Sequence, residues 1–400
     1  MSTLKVDAIR HNNATTDALV LSNNGSVAIG TCTAKLTSIG GGGLSHRNIV
    51  INGAMRVAQR GVTSTANGIR TVDRFAMQGS GADENPTQTQ HTLTSSDTGP
   101  YEEGFRKSWH IQNGNQASGA NSSDYVQPET RLEAQDLANC GWNYTSSSSF
   151  ITLSFWVKSS VAGDYTCNFA THDGTGHRYL MEYTLAANTW KKITKIIPGN
   201  SNLTFNDDNG HGATIMWYPF LGSGFIQADQ ENNWYASSNG KYGTVSTSSW
   251  WTTNDATWEM TGVQLEVGDT ATSFEHRSFG EELARCQRYF YRVSTTASGT
   301  GQYKHIGTMQ YYGGSHPYGK MLDLPVPMRT IPTGSHIGDI RPWTAGGSPN
   351  GSFTSINYDR NDNKFLGSNG STTNQNSGSN GDATPITLWT SSSMSADAEL

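Results

Sequence analysis

Charge is scarce in this chain. Asp, Glu, Lys and Arg make up 15% of its 400 residues, against roughly 25% in an average protein. The charges sum to −6. That leaves no basic field of the kind a general nucleic-acid binder uses to displace counterions, so no nucleic-acid partner is expected. Long apolar runs are missing too. None approaches the roughly 20 residues that cross a bilayer, and the opening MSTLKVDAIRHNN has no apolar stretch of the secretory kind, so no membrane insertion is expected. Leu, Ala, Glu and Lys are too sparse for a helical protein. There are four cysteines, Cys32, Cys140, Cys167 and Cys286, and no Cys-x-x-Cys pair. Zinc and dithiol readings therefore give way to buried free thiols.

Catalytic phrases are also absent. There is no Gly-x-Ser-x-Gly, no His-Glu-x-x-His and no Gly-x-Gly-x-x-Gly after a strand. The run Gly40–Gly43 lacks the Lys-Ser/Thr of a phosphate loop and reads as a joint. No cofactor is expected. Adjacent carboxylates occur at Glu102-Glu103, Asp207-Asp208 and Glu281-Glu282, but neighbours in sequence rarely face one cleft as glycoside hydrolysis requires. His172 and His177 are the closest histidines and read as part of a polar hairpin loop rather than a metal site. Asp207-Asp208-Asn209-Gly210 lacks the spacing of a calcium loop and reads as a turn. No metal is expected.

What the chain has instead is 44 Gly, 11 Trp, 16 Tyr and 13 Phe. Rings in this number argue for buried cores, and Gly, Asn and Ser clusters supply turns between short strands. The fold expected is all-β, in four parts. Residues 1–47 form an arm whose Ala18–Gly30 reads as a hairpin around Asn24-Gly25. It cannot build a core alone and has to pair with another copy, a partner or the next domain. Residues 48–278 form a jelly-roll or β-sandwich domain, with alternation in Ile151–Val157, Tyr165–Phe169, Tyr179–Leu185, Trp190–Ile197, Thr214–Phe220 and Glu259–Val267. Thr130 and Glu133 fit a capping box and predict a short helix over Thr130–Leu137. Residues 279–291 form a connecting helix, capped by Ser278, with Glu281, Glu282 and Arg285 on a solvated face. Residues 292–400 form a second, smaller β-sandwich, with Gly367–Asp382 as a surface loop.

Residues 48–288 carry 16 basic and 24 acidic side chains, net −8, and nine of the eleven tryptophans. Trp156 and Trp190 fall on strands and read as core or intersubunit anchors. Trp234, Tyr235, Trp250 and Trp251 fall in a stretch rich in Ser, Asn and Gly. Rings on polar loops can stack on the apolar face of a sugar, so these four are the expected ligand-binding residues, with a neutral or cationic glycan as ligand. The rival site is the Gly367–Asp382 loop with Trp343 and Trp389.

Several phrases resemble a known family. Asn48–Gly61, NIVINGAMRVAQRG, followed by Thr71-Val-Asp-Arg-Phe75, is similar to the opening of tail-fibre-like virion appendage proteins of tailed bacteriophages, notably those of marine bacteria. Trp258–Gly268 through Phe274–Tyr291 is a second match, and Ser2–Ile9 and Leu324–Thr333 are further ones. Ile151–Lys158 and Trp190–Pro198 also resemble a jelly-roll carbohydrate-binding module. The resemblance implies a structural, trimeric fibre protein of the virion tail, made in the host bacterial cytoplasm. Its N-terminal arm would dock on other tail proteins, and it would attach to a host cell-surface glycan without catalysis. The alternatives are a tailspike enzyme that degrades surface polysaccharide, or a virion structural protein with no receptor role. Parallel β-helix repeats, typical of the enzymes, are absent from the sequence.

Overall fold

The structure is a computed structural model. It describes residues 46–246, 248–295, 303–312, 316–343, 352–359, 361–372, 379 and 381–400, and three short strands before them. The chain divides into two compact units, Met1–Ile39 and Gly40–Leu400. In the first, Ala8–Ile9, Leu19–Leu21 and Val27–Ile29 form a three-stranded sheet in chain order. Leu19 pairs with Ile29 and Leu21 with Val27, antiparallel, as the hairpin pattern predicts. Gly40–Gly43 and Cys32 lie outside the described residues.

In the second unit, two antiparallel sheets face each other. One has the order Lys191–Pro198, Phe150–Ser159, Thr257–Val267, Lys107–Gln112, extended by Thr87–Thr92 and Thr63–Ser64. The other has the order Tyr125–Glu133, His211–Tyr218, Gly163–Thr171, His177–Leu185. It is extended by Phe75–Ser80 and Phe220–Leu221 on the first of these strands and by Trp234–Ala236 on the last. The eight principal strands cross between the sheets in the order of a jelly roll. Alternation decides the inner faces. Ile151, Leu153, Phe155 and Val157 meet Cys167, Phe169, Met181, Ile215 and Trp217 in one core, with Phe155 edge-on to Trp217 at 5.7 Å.

The helix expected over Thr130–Leu137 is displaced. Thr130 belongs to the strand Tyr125–Glu133, its hydroxyl donating to the Arg74 carbonyl, and the helix occupies Ala134–Ala138. The second helix, Phe279–Gln287, is capped as expected: the Ser278 hydroxyl accepts from the Glu281 amide at 3.2 Å. Glu282 is a correction. It is buried, and accepts from the Asn52 amide at 2.6 Å. That bond is one of several that knit the phrases of the resemblance together. The Asn48 amide group donates to the Val263 carbonyl at 3.0 Å, Val263 N–H donates to the Gly53 carbonyl at 2.9 Å, and Asn52 Nδ2 donates to the Asp73 carbonyl at 2.9 Å. Segments far apart in sequence form one polar seam.

After that helix come a three-stranded sheet, Phe290–Ser294, Ser393–Asp397, Thr333–Ile337, and a six-stranded one, Ile340–Pro342, Ala383–Leu388, Lys304–Tyr311, Pro317–Asp323, Phe365–Thr372, Phe353–Asn357. They share a smaller core that includes Val293, Met309, Met321, Leu366, Ile386 and Met394. Residues 397–400 turn back onto the first sandwich. Arg74, almost fully buried, pairs with Glu399 and lies over the Tyr289 ring. Arg329 donates to the carbonyls of Ala398 and Glu399, each at 2.9 Å. The expected Gly367–Asp382 loop is partly strand: Phe365–Thr372 pairs on both sides, and residues 373–378 and 380 lie outside the described residues. Cys167 and Cys286 are buried free thiols and Cys140 is a half-buried one.

Candidate functional site

The expected ring cluster does not assemble. Trp250 and Trp251 sit on the short helix Ser248–Thr252 and are fully buried in the sandwich core. Asn113 Nδ2 donates to both their carbonyls at 3.1 and 2.8 Å, and Trp251 Nε1 donates to the Gly119 carbonyl at 2.9 Å. A polar stretch looked like surface, but one helical turn carries its two largest side chains inward. Trp234 and Tyr235 are separated by strand alternation. Trp234 pairs with Tyr179, an inward residue. It packs on the Tyr179 ring at 5.4 Å, and its Nε1 donates to the Pro198 carbonyl at 2.8 Å. Tyr235 pairs with Arg178 on the opposite, outer face. Trp234 and Tyr235 are both half-buried, Trp234 packed against the core and Tyr235 on the outer face.

That outer face has its own order. In register across the sheet run Arg131, Thr214, Ala170, Arg178 and Tyr235, and beside them Glu129, Met216, Asn168 and Leu180. The stretch between residues 222 and 243 folds over part of it. Phe225 and Tyr242 stack at 4.8 Å, Tyr125 meets Phe225 edge-on at 5.9 Å, and the Arg178 guanidinium lies 4.3 Å above the Tyr242 ring. Arg131 and Gln127 both donate to the Glu129 carboxylate, at 2.7 and 2.6 Å. Asn168 Nδ2 donates to the Tyr242 carbonyl at 2.6 Å, yet its Oδ1 is buried without a partner. So are Arg178 Nε, Ser237 Oγ and Thr244 Oγ1. Buried polar atoms ordinarily find partners, and these four have none among the described residues. Sequence reading missed Arg178 and Asn168 because they lie on or beside strands scored only for their apolar alternates, and Glu129 because its strand, Tyr125–Glu133, was not read as one.

His172 pairs not with His177 but with His211, from the neighbouring strand. Their rings stack at 3.8 Å, and both meet the Thr214 hydroxyl, at 2.8 and 2.7 Å. Burial, with positive charge from Arg178 and Arg131, lowers His172 to about 4; burial and its stacked partner lower His211 to about 3. Two imidazoles and a hydroxyl make a poor ligand set. No group of three or more His, Cys, Asp or Glu suited to a metal occurs among the described residues.

The rival aromatic set is assembled by a residue that sequence reading passed over. Tyr303, half exposed, stacks on Trp389 at 5.8 Å and meets Trp343 edge-on at 5.0 Å; Arg341 lies 4.4 Å over Trp389. Trp156 and Trp190 are half-buried on the outer face of the other sheet. Their indole N–H groups donate to Glu103 and Asp97, each at 3.0 Å. On that face Lys158 stands between Asp97 and Glu259, 3.1 Å from each. Both carboxylates are held below their ordinary range by hydrogen bonds and Lys158, against a burial effect that would raise them.

No protein-family model and no curated protein matches the chain. Solved structures do. The enzymatically active domain of bacteriophage CBA120 tailspike protein 4 matches at 10% identity and TM-score 0.29, over 55% of this chain and 21% of that one. The family 11 carbohydrate-binding module from Clostridium thermocellum, in complex with a mixed-linked tetrasaccharide, matches at 12% identity and TM-score 0.24, over 54% and 98%. TmCBM61 in complex with β-1,4-galactotriose matches at 9% identity and TM-score 0.27, over 56% and 99%. The chain thus spans about a fifth of the tailspike chain that it matches.

Proposed function

We propose that this protein is a glycan-binding subunit of a phage tail fibre, and that the outer face of the seven-stranded sheet, at Arg178, Tyr235 and Tyr242, takes the sugar. One observation carries the reading: stacked aromatic rings stand beside buried, unpartnered polar atoms of Asn168 and Arg178. Rings offer the apolar face a pyranose stacks on, and the half-buried Arg178, Tyr235 and Tyr242 offer polar groups for its hydroxyls. The virion setting rests on the phrases of the resemblance. Binding leaves the glycan intact in this reading.

The test is glycan-array and host-adsorption measurement on Tyr242→Ala and Arg178→Gln, with melting curves alongside. Loss of binding with melting preserved supports the face. Retained binding moves the site to Tyr303, Trp343 and Trp389, which Tyr303→Ala then examines. Shortening of host polysaccharide on incubation overturns the non-catalytic part. The chain also acts as a homotrimer on the tail in this proposal, its arm docking to other tail proteins. Light scattering on the full chain and on a chain beginning at Arg47 checks this, and a monomeric full chain sinks it.

A further inference from the structure

Two cavities open side by side where the strands Phe290–Ser294 and Ser393–Asp397 approach the first sandwich. The larger, ≈ 350 Å³, is lined by Arg60, Arg70 and Arg292, by one carboxylate, Asp397, and by hydroxyl side chains that include Ser64 and Ser395. The smaller, ≈ 240 Å³, shares Arg60, Arg70 and Asp397 and adds Arg131, Glu399 and Leu400. The larger falls in the size range of ligand pockets, roughly 300–1,000 Å³.

Of its three cations, Arg60 is paired with carboxylates, and Arg70 and Arg292 are not. The Arg60 guanidinium is stacked 3.5 Å over the Phe290 ring, and its Nη2 reaches Asp397 at 3.1 Å and Glu399 at 3.3 Å. Its Nη1 is buried with no hydrogen-bond partner, the nearest carboxylate, of Asp73, standing off at 3.8 Å. Arg292 donates to the Arg60 carbonyl at 2.9 Å and the Ser393 hydroxyl at 3.0 Å, and Arg70 to the Asn67 carbonyl at 2.9 Å. Neither has an acidic partner among the described residues. Two guanidinium groups without an acidic partner, Arg70 and Arg292, thus line the cavity beside the paired Arg60, in a protein whose overall charge is negative. Planar guanidinium forks match carboxylate, sulfate and phosphate oxygens in pairs.

We propose that this junction cavity binds an anionic sugar residue, its acidic group on Arg70 and Arg292 and its hydroxyls on the serine and threonine wall. The site is separate from the aromatic face and takes the opposite ligand charge from the one that the acidic balance of residues 48–288 suggests. Local guanidinium groups outweigh distant carboxylates that salt screens within roughly 8–10 Å.

Calorimetric titration of the full chain with glucuronate, glucose and inorganic sulfate tests it. Glucuronate should bind, glucose should bind at least about tenfold more weakly, and raised salt should weaken glucuronate. Arg70→Gln should weaken glucuronate about tenfold with melting unchanged, since Arg70 is exposed and makes one backbone hydrogen bond. Arg292→Gln should act in the same direction, and if it does not fold, Arg70→Gln and the salt series still decide. Equal binding of glucose and glucuronate, or an indifferent Arg70→Gln, overturns the proposal. Sulfate binding as tightly as glucuronate overturns the sugar part of it. Neutral-glycan binding by Arg70→Gln should match the parent, so failure here and failure at the aromatic face are told apart.

Discussion

The rings of His172 and His211 lie 3.8 Å apart, 28° from parallel, with the Thr214 hydroxyl within hydrogen-bond reach of both. Neither ring accepts a proton easily there: burial is the main cause, and the two are lowered to about 4 and about 3. A histidine lowered in the fold binds its proton more readily unfolded. The pair's contribution is therefore complete above about pH 6.5, the unfolded value, and is lost as pH falls toward 3–4. Asp73 and Asp136, raised to about 6 by burial, work the other way over pH 6 to 4, since the fold holds their protons more tightly. Melting temperature against pH for the parent and for His172→Gln/His211→Gln separates the two. The gap between the curves should shrink or reverse below pH 5. A constant gap refutes the assignment.

Trp250→Ala and Trp251→Ala should each lower stability by about 3–5 kcal/mol, the usual cost of emptying a buried aromatic site. Chemical denaturation measures it. A change under 1 kcal/mol in either would mean that the rings are not core after all.

Gly53 permits a backbone contact. A Cβ placed there would stand 2.0 Å from the Val263 carbonyl oxygen, which belongs to the seam joining residues 48–53 to the strand Thr257–Val267. Gly53→Ala should cost about 1–3 kcal/mol through overpacking. The neighbouring Ala54→Gly serves as a control, changing the local chain without adding volume. Equal stability of Gly53→Ala and the parent contradicts the close approach.

Glu399→Ala strands Arg74, which is 3% exposed, and should cost about 3–5 kcal/mol. Glu103→Ala removes the exposed partner of Lys192 and should cost about 0–1 kcal/mol. The contrast reads out in paired thermal melts. By the same reasoning a chain ending at residue 292, close to the fold boundary that charge and periodicity suggest, should melt below the full chain, because Arg60, Arg74 and Arg131 lose their partners in residues 397–400.

Much of the sandwich was legible. Ile151–Val157 and Tyr179–Leu185 alternate cleanly because one face is buried and the other is not, and the Ser278 cap announces its helix. Thr87–Thr92, TQTQHT, was invisible, since a strand of polar residues at the margin of a sheet carries no apolar period. The strand Tyr125–Glu133 was half mistaken for helix: Thr130 and Glu133 have the right identities for a capping box, and tertiary pairing with Phe75–Ser80 and His211–Tyr218 overrode it. The candidate site was hardest to see. It depends on which strands sit side by side, so Arg178 meets Tyr242 and Asn168 only after the register is set, and a list of polar residues cannot show that.

The strand Thr257–Val267 lies between Phe150–Ser159 and Lys107–Gln112, yet is the last of the principal strands in chain order. During synthesis its two neighbours therefore emerge well before it, roughly eight to thirty seconds ahead for the earlier one at elongation rates of about 5–20 residues per second. Until residue 267 leaves the ribosome, two long edges stand open with a strand-wide gap between them. The sandwich closes in one late step, and the waiting edges are the chain's exposure to wrong partners, including neighbouring copies on the same message.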